Sequence, residues 1–150
     1  MRIALASDHR GFALKEELKI KLQEQGVEII DCGAFNDAPS DHMDYAFKLG
    51  DKIVKKEADY GVAICGTGIG MSIACNKMKG IRCAKVDSNN DVIKTRLDND
   101  SNVMSFGQDI PLETAIELVN LFINTPKSME ARFVRRRNKL KQYEAKHYDK

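Results

Sequence analysis

The chain has 150 residues, of which 43% are hydrophobic and 31% are charged, and its net charge is +2. This length fits one ordinary domain, and the composition is that of a folded globular protein, which excludes a disordered chain. No apolar run approaches the ~18 residues that a membrane span requires. Charged residues come too early at the N-terminus for a signal peptide. We therefore expect one cytoplasmic domain over residues 1–150.

Short apolar runs alternate with amphipathic stretches along the chain. The apolar runs predict strands at residues 3–6, 27–30, 60–65, 81–86 and 102–106. The amphipathic stretches predict helices at about 12–26, 41–56, 69–78, 89–97 and 112–123, and Pro126 opens a last, basic helix over about 126–150. This alternation predicts an α/β, doubly wound fold: a five-stranded parallel sheet with helices on both faces and a C-terminal basic helix. Ligands of such sheets bind at the carboxyl ends of the strands.

The positive charge is concentrated at the end of the chain. From Lys127 onward there are nine lysines or arginines and three acids, so the rest of the chain is net acidic. A basic segment on an acidic body suggests an anionic partner, and a solvated helix face is the alternative. Nucleic acid is disfavoured, because the whole chain is not strongly basic and contains no tryptophan.

A polar triplet, Ser7-Asp8-His9, ends the first predicted strand. A carboxylate and an imidazole at that edge of a sheet can bind hydroxyl groups and an anion. The alternative is that Asp8 only caps the following helix and His9 has no role. His42 lies further on, in a predicted polar loop from which it can reach a site.

The segment Cys65-Gly66-Thr67-Gly68-Ile69-Gly70 joins a predicted strand to a predicted helix. Its glycines let the backbone approach a ligand closely, and N–H groups at a helix start attract negative charge. The glycine spacing differs from both nucleotide-binding fingerprints, which disfavours a nucleotide. N–H donors beside a thiol stabilise a thiolate, so Cys65 is a candidate nucleophile or general base. The alternative is a core cysteine before a tight turn.

The other three cysteines, at positions 32, 75 and 83, read as core thiols, since free cysteine is a common core residue. No Cys-x-x-Cys pair and no histidine at zinc spacing accompanies any of the four, so we predict no metal site.

Two features later in the chain are candidates for substrate binding. The polar run Asp98–Asn102 suits a simple turn, although in a doubly wound sheet it can also lie beside Cys65. Arg132 and Arg136 are four residues apart on the last predicted helix, so they share one face. Two guanidinium groups on one face form a phosphate clamp, and a solvated basic face is the alternative.

Together these segments resemble the ribose-5-phosphate isomerase type B family, which includes the bacterial galactose-6-phosphate isomerase subunits. The likeness runs from Ile3 to about Arg137 and is most specific over Cys65–Ala74. The triplet Ser7–His9 with Gly11-Phe12, and Asn99-Asp100 with Asn102-Val103, match as well.

The resemblance implies a cofactor-free aldose–ketose isomerase of phosphorylated sugars with a Rossmann-like sandwich fold. It also implies a homodimer or tetramer whose active sites are each built from two subunits. The roles that it implies are a general base at Cys65, an enediolate site at Thr67 and the N–H groups of Gly66, Gly68, Ile69 and Gly70, hydroxyl binding at Asp8, sugar binding at Asn99, and phosphate binding at His9, Arg132 and Arg136.

The chain departs from the family pattern at three positions. Asp98 stands where the family usually has the histidine that opens the sugar ring, and an aspartate is ordinarily ionised at neutral pH. His42 stands where the family often has tyrosine, and it can supply the missing acid. Asp109 replaces an arginine that reaches the substrate phosphate in many relatives. Ribose 5-phosphate is the leading predicted substrate; a six-carbon aldose phosphate, of the galactose or allose 6-phosphate type, and a non-catalytic sugar-phosphate binder are the alternatives.

Overall fold

The computed structural model describes residues 1–148, and within them the predicted alternation of strands and helices is confirmed. The end of the last predicted helix, residues 149–150, lies outside the described residues. None of the helices in residues 1–148 is both long and apolar enough to cross a lipid bilayer. The strands are β1 (Arg2–Ser7), β2 (Glu28–Asp31), β3 (Tyr60–Cys65), β4 (Cys83–Lys85) and β5 (Val103–Gly107). The helices are α1 (Phe12–Glu24), α2 (His42–Val54), α3 (Ile69–Cys75), α4 (Asn89–Lys94), α5 (Leu112–Asn124) and α6 (Ala131–Tyr148), with a π-helical turn at Thr95–Asn99 after α4.

The sheet confirms the predicted architecture. Its five strands are all parallel and run in the order β2-β1-β3-β5-β4. The chain leaves β1 toward β2 on one side and returns to β3 on the other. Strand order therefore reverses between β1 and β3, and the carboxyl ends of these two strands are the expected position of a ligand site.

Alternate side chains of each inner strand enter two different cores. Ile3 and Leu5 of β1 pack in a cluster with α1 and α5. Ala4 and Ala6 face the opposite way, into a second cluster that includes α2 and α3. The alternation continues in β3 and places Cys65 in the second cluster. The Cys65 thiol thus emerges on the side of the sheet that α2 and α3 cover.

The last helix begins later than the sequence predicts. Residues 125–130 are non-helical, and α6 starts at Ala131 instead of at Pro126. The Ser128 N–H donates to the Leu97 carbonyl at 2.9 Å, and the Arg137 guanidinium donates to the Ser128 carbonyl at 2.7 Å. The Ser128 carbonyl, which a helix from Pro126 would offer to the N–H four residues later, is bound by Arg137 instead, and the Ser128 N–H holds this segment on Leu97, so the helix starts after them.

The predicted helix over residues 89–97 is divided, because α4 ends at Lys94 and a wider π-helical turn follows. The buried Arg96 side chain lies in this turn and donates to the carbonyls of Thr125 and Ser101 at 2.9 and 2.7 Å. The hydrogen bonds of the buried Arg96 guanidinium stabilise the wider turn by more than regular helical geometry would, because a buried charge without hydrogen bonds is costly. Asp98 and Asn99 therefore lie in an ordered turn and not in a simple loop.

Beside β2, the fully buried Lys15 ammonium pairs with Asp31. Its Nζ lies 2.8 and 2.9 Å from the two carboxylate oxygens of Asp31 and 2.9 Å from Oε1 of Glu16. Burial alone would raise the pKa of the Asp31 carboxyl, but hydrogen bonds from Lys15, the Gly33 N–H and Lys19 outweigh it and hold that pKa below its ordinary value.

We expect the Asp31 carboxylate to stabilise the fold at neutral pH and to lose this contribution in acid. Because its folded-state pKa is lowered, the stabilisation is complete above the unfolded value of ~3.9 and is lost as the pH falls through the lower folded value. Urea unfolding at stepwise lower pH measures it. Asp31→Asn should lower the free energy of unfolding by about 3 kcal/mol at neutral pH, because it removes one of the two carboxylates that pair with the buried Lys15 ammonium and leaves only Glu16. The variant should also lose less stability in acid than the wild type; equal losses would contradict the assignment.

Candidate active site

Asp8 and Cys65 leave neighbouring strands at the same edge of the sheet. Ser7 of β1 is in register with Ile64 of β3, so the next residue of each strand continues side by side. Both side chains are almost fully buried, with 5% exposure each. The topology therefore joins two of the sequence-predicted motifs at the strand-order reversal.

The Asp8-His9 pair is fixed by hydrogen bonds on both sides. Oδ1 of Asp8 accepts the N–H groups of Arg10 and Gly11 at 3.0 and 3.1 Å, which shapes the turn before α1. The ring Nδ1 of His9 accepts the backbone N–H of Ser40 at 3.1 Å, and the Ser40 hydroxyl oxygen accepts the backbone N–H of His9 at 3.1 Å. A neutral His9 ring with its Nδ1 occupied carries its hydrogen on Nε2. His9 is thus held as a directed N–H donor.

The Cys65 loop presents donors to the thiol and leaves the Thr67 hydroxyl available. The Gly68 N–H donates to Sγ of Cys65 at 3.1 Å. Oγ1 of the exposed Thr67 accepts the Ile69 N–H at 3.2 Å, so its own hydrogen is free to bind a ligand. Gly70 follows in the first turn of α3. The loop combines a sulfur with N–H and O–H donors, which suits an anionic oxygen next to a proton-transfer group.

Gly68 is required by the backbone geometry of this loop. Its φ is +85°, and a Cβ at this position would stand 2.7 Å from the Phe106 Cα. The Ser105 hydroxyl donates to the Gly68 carbonyl at 2.8 Å and fixes the loop on β5. The loop after Cys65 is therefore a tight turn, as one reading of the sequence predicted. The same turn directs the Gly68 N–H toward the Cys65 thiol.

Two side chains, His42 and Arg10, flank the loop, and only His42 was predicted from the sequence. His42, the first residue of α2, lies so close to Gly70 that a Cβ there would be 2.6 Å from its Nε2. On the other side, a Cβ on Gly66 would be 2.5 Å from Nη1 of Arg10. The sequence signal that could have identified Arg10 is its position, directly after Asp8-His9 at the carboxyl end of β1.

Asp98 and Asn99 do not lie beside Cys65 within one chain. They precede β5, whereas Cys65 is in register with Gly107 at the far end of that strand. Because a parallel strand rises about 3.3 Å per residue, the two ends of β5 are roughly 13 Å apart. The possibility that the sequence left open, a polar run beside Cys65, is therefore not realised within one chain. Asp109, which follows β5, is exposed at the Cys65 end.

The arginines of α6 accompany Asp98 and Asn99 at the opposite end of the sheet. Arg136 lines the same groove as these two residues, a cavity of about 630 Å³ between α6 and the body of the protein. Arg132 is exposed, pairs with Glu130 at 3.1 Å and stacks on the Phe133 ring. One chain thus holds two half-sites: the Cys65 half-site (Asp8, His9, His42 and residues 65–70) and the Asp98 half-site (Asp98, Asn99 and Arg136 in the groove, with Arg132 four residues before Arg136 on α6).

Cys32 and Cys75 are buried, as predicted for core thiols, whereas Cys83 is only partly buried and borders the groove beside α6. Burial raises the pKa of the Cys32 thiol to about 11, which keeps it protonated at neutral pH. A hydrogen bond with the Cys83 thiol raises the pKa of the buried Cys75. In the part of the chain that the structure describes, no group of three or more His, Cys, Asp or Glu side chains could hold a metal ion.

The chain is similar to a family model and to known proteins along most of its length. A family model described as Ribose/Galactose Isomerase matches residues 3–140. Ribose-5-phosphate isomerase B of Escherichia coli is 37% identical over 123 residues, which cover 82% of this chain and 80% of that protein. The structure of ribose-5-phosphate isomerase B from Clostridium thermocellum matches with a TM-score of 0.92 and 33% identity, covering 98% of this chain and 99% of that one. The Mycoplasma genitalium structure of this enzyme with bound ribulose 5-phosphate matches with a TM-score of 0.87 and 33% identity over 96% of both chains.

Proposed function

Because the chain belongs to the Ribose/Galactose Isomerase family, we propose that it is an aldose–ketose isomerase that interconverts D-ribose 5-phosphate and D-ribulose 5-phosphate. The observation that carries this proposal is the family match over residues 3–140. The Cys65 loop supports it, since a thiol beside N–H and O–H donors suits an enediolate intermediate. The cytoplasmic location inferred from the sequence stays a prediction.

In the proposed mechanism, Cys65 acts as the general base. Its thiolate takes the proton from C2 of the open-chain aldose, and the C2–H electron pair forms the C1–C2 double bond while the carbonyl oxygen becomes an oxyanion. The Thr67 hydroxyl and the N–H groups at the start of α3 stabilise this enediolate. The proton on O2 then passes to O1, the electron pair of the O2–H bond forms the C2=O double bond, and the C1–C2 π pair takes the proton that the thiol returns to C1, which gives the ketose. No cofactor enters this sequence, because the proton only moves between neighbouring carbons.

We propose that two copies of the chain share each active site. Within one chain, the Asp98 half-site lies at the opposite end of the sheet from the Cys65 half-site. A complete site therefore combines the Cys65 half-site of one copy with the Asp98 half-site of a second copy. Large apolar side chains next to the Cys65 loop are exposed: Ile69 and Ile73 on α3 (54% and 59%), and Met43 and Phe47 on α2 (42% and 43%). Each pair is spaced four residues apart and forms one stripe, which favours burial against another chain. A homodimer is the smallest assembly that satisfies both observations, and a tetramer of such dimers does so too.

The test of the proposed reaction uses the purified protein in deuterated water. D-Ribose 5-phosphate should lose its C2 proton signal and yield ketose, with a kcat/KM above those of the galactose and allose 6-phosphates. The alternative is a six-carbon substrate, which is motivated by the departures from the family pattern at His42, Asp98 and Asp109. A higher kcat/KM for such a sugar would replace the pentose assignment. Binding without turnover, unchanged in Cys65→Ala, would make the protein a sugar-phosphate sensor.

Asp98 is proposed to assist ring opening, and its replacement by histidine is informative. We expect Asp98→His to raise kcat/KM on D-ribose 5-phosphate by about tenfold, because an imidazolium donates a proton near neutral pH far more readily than an aspartate does. Steady-state kinetics and the rate of appearance of the open-chain aldehyde measure this. An unchanged rate in Asp98→His, together with a large loss in His42→Phe, would instead assign ring opening to His42.

A further inference from the structure

Arg10 lies directly on the Cys65 loop, although it belongs to the turn after β1. Its guanidinium occupies the space over Gly66, where a Cβ would stand 2.6 Å from Cζ and 2.5 Å from Nη1. Only a glycine at position 66 permits this approach. The cation therefore stands next to the residue that follows Cys65.

The Arg10 side chain is held in this position from the β5 side. With its amide oriented so that both atoms are paired, Gln108 donates to the Arg10 carbonyl at 2.7 Å and accepts from Nη2 of Arg10 at 3.3 Å. The Asp8 carboxylate accepts the Arg10 N–H and fixes the backbone of the same residue. Three segments, after β1, β3 and β5, thus converge on one guanidinium.

The charge of Arg10 is not neutralised by an ion pair within the described residues. Among residues 1–148 no carboxylate forms a salt bridge with its guanidinium, and the side chain is exposed. Of its five N–H donors, the Gln108 amide oxygen takes one. The remaining donors are available to an anion, and Nε2–H of the neighbouring His9 adds another.

We propose that Arg10 binds the phosphate group of the substrate, from the same chain as Cys65. This inference rests on the proposed function, because it assigns one end of that substrate. Position 109, immediately after Gln108, carries an aspartate whose charge repels a phosphate. Arg10 offsets that charge and supplies bidentate N–H donors at the Cys65 end, and the α6 arginines of the second copy complete the phosphate site.

The test is calorimetric titration with inorganic phosphate at constant ionic strength, which requires no turnover. Arg10→Ala should weaken phosphate binding by about tenfold or more, and Arg10→Lys should recover part of the loss. Lys21→Ala removes the same charge from the other end of α1 and should bind phosphate like the wild type. KM for D-ribose 5-phosphate should rise in Arg10→Ala by the same factor as the phosphate Kd, with kcat within about twofold.

Several results would overturn this assignment. They are an unchanged phosphate affinity in Arg10→Ala, no phosphate binding by the wild type, or a fall in kcat without a change in phosphate affinity. The last result would place the guanidinium on the enediolate instead. Thermal unfolding of each variant confirms that the fold is intact. If no aldose phosphate is turned over, the proposed function fails, but the phosphate titration still decides the role of Arg10.

Discussion

Cys65→Ser should lower kcat on D-ribose 5-phosphate by about 10²-fold or more while KM changes by less than about twofold. Serine keeps the shape of the side chain and can still accept the Gly68 N–H, which lies 3.1 Å from the sulfur. An alcohol, however, is a far weaker acid than a thiol, so the ionised base is lost. Exchange of the substrate C2 proton with deuterated solvent should fall by the same factor, because Cys65 removes that proton in the proposed mechanism.

The matched control for this prediction is Cys32→Ser. The Cys32 thiol is also buried near the carboxyl end of a strand, but burial raises its pKa to about 11, so it is protonated at neutral pH. Its loss should leave kcat and proton exchange unchanged. If Cys65→Ser changed only KM, Cys65 would bind the substrate without acting as the base; if kcat were retained as well, the proposed mechanism would be wrong.

Mixing two inactive variants should restore activity if each active site is built from two chains. Cys65→Ala removes the proposed base of one half-site, and the double replacement of Arg132 and Arg136 by alanine removes the proposed phosphate clamp of the other. Random reassociation makes half of the dimers mixed, each with one intact site, so about a quarter of the wild-type activity should return. Assay of the co-expressed mixture measures this, and dimers purified through two different affinity tags, which are all mixed, should reach about half of the wild-type activity.

A second mixture provides the control for complementation. Cys65→Ala and His9→Ala both fall in the Cys65 half-site, so no mixed dimer contains an intact site and no activity should return. If activity returns in the mixture of Cys65→Ala with the arginine variant and not in the mixture of Cys65→Ala with His9→Ala, the active site is shared between two chains. Mixed dimers that form but stay inactive in both mixtures would show that the Asp98 half-site does not complete the Cys65 half-site.

The layered fold was predictable because its signals are local. The apolar run at residues 60–65 and the amphipathic stretch at 112–123 each indicate, from their own residues, which side chains are buried. The observed β3 and α5 agree with them closely. Boundaries that depend on distant partners were predicted less well. Tertiary hydrogen bonds to Leu97 and from Arg137 delay α6 to Ala131, and no periodicity within residues 126–130 reveals them.

The candidate site was predictable motif by motif but not as an arrangement. The Cys65 loop and Asp8-His9 were recognised from residue types that are unusual at strand ends, and the structure brings them together at the predicted edge. Arg10 was missed because an arginine in a turn is an ordinary surface residue until Gly66 and Gln108 are found against it.

The sequence by itself determined the alternation of strands and helices and the family, because both depend on patterns of neighbouring residues. Only the tertiary structure decided that Asp98 and Arg136 lie at the other end of the sheet from Cys65. The physical reason is that the two ends of a strand are separated by its length, so residues before β5 and after β3 cannot meet within one chain.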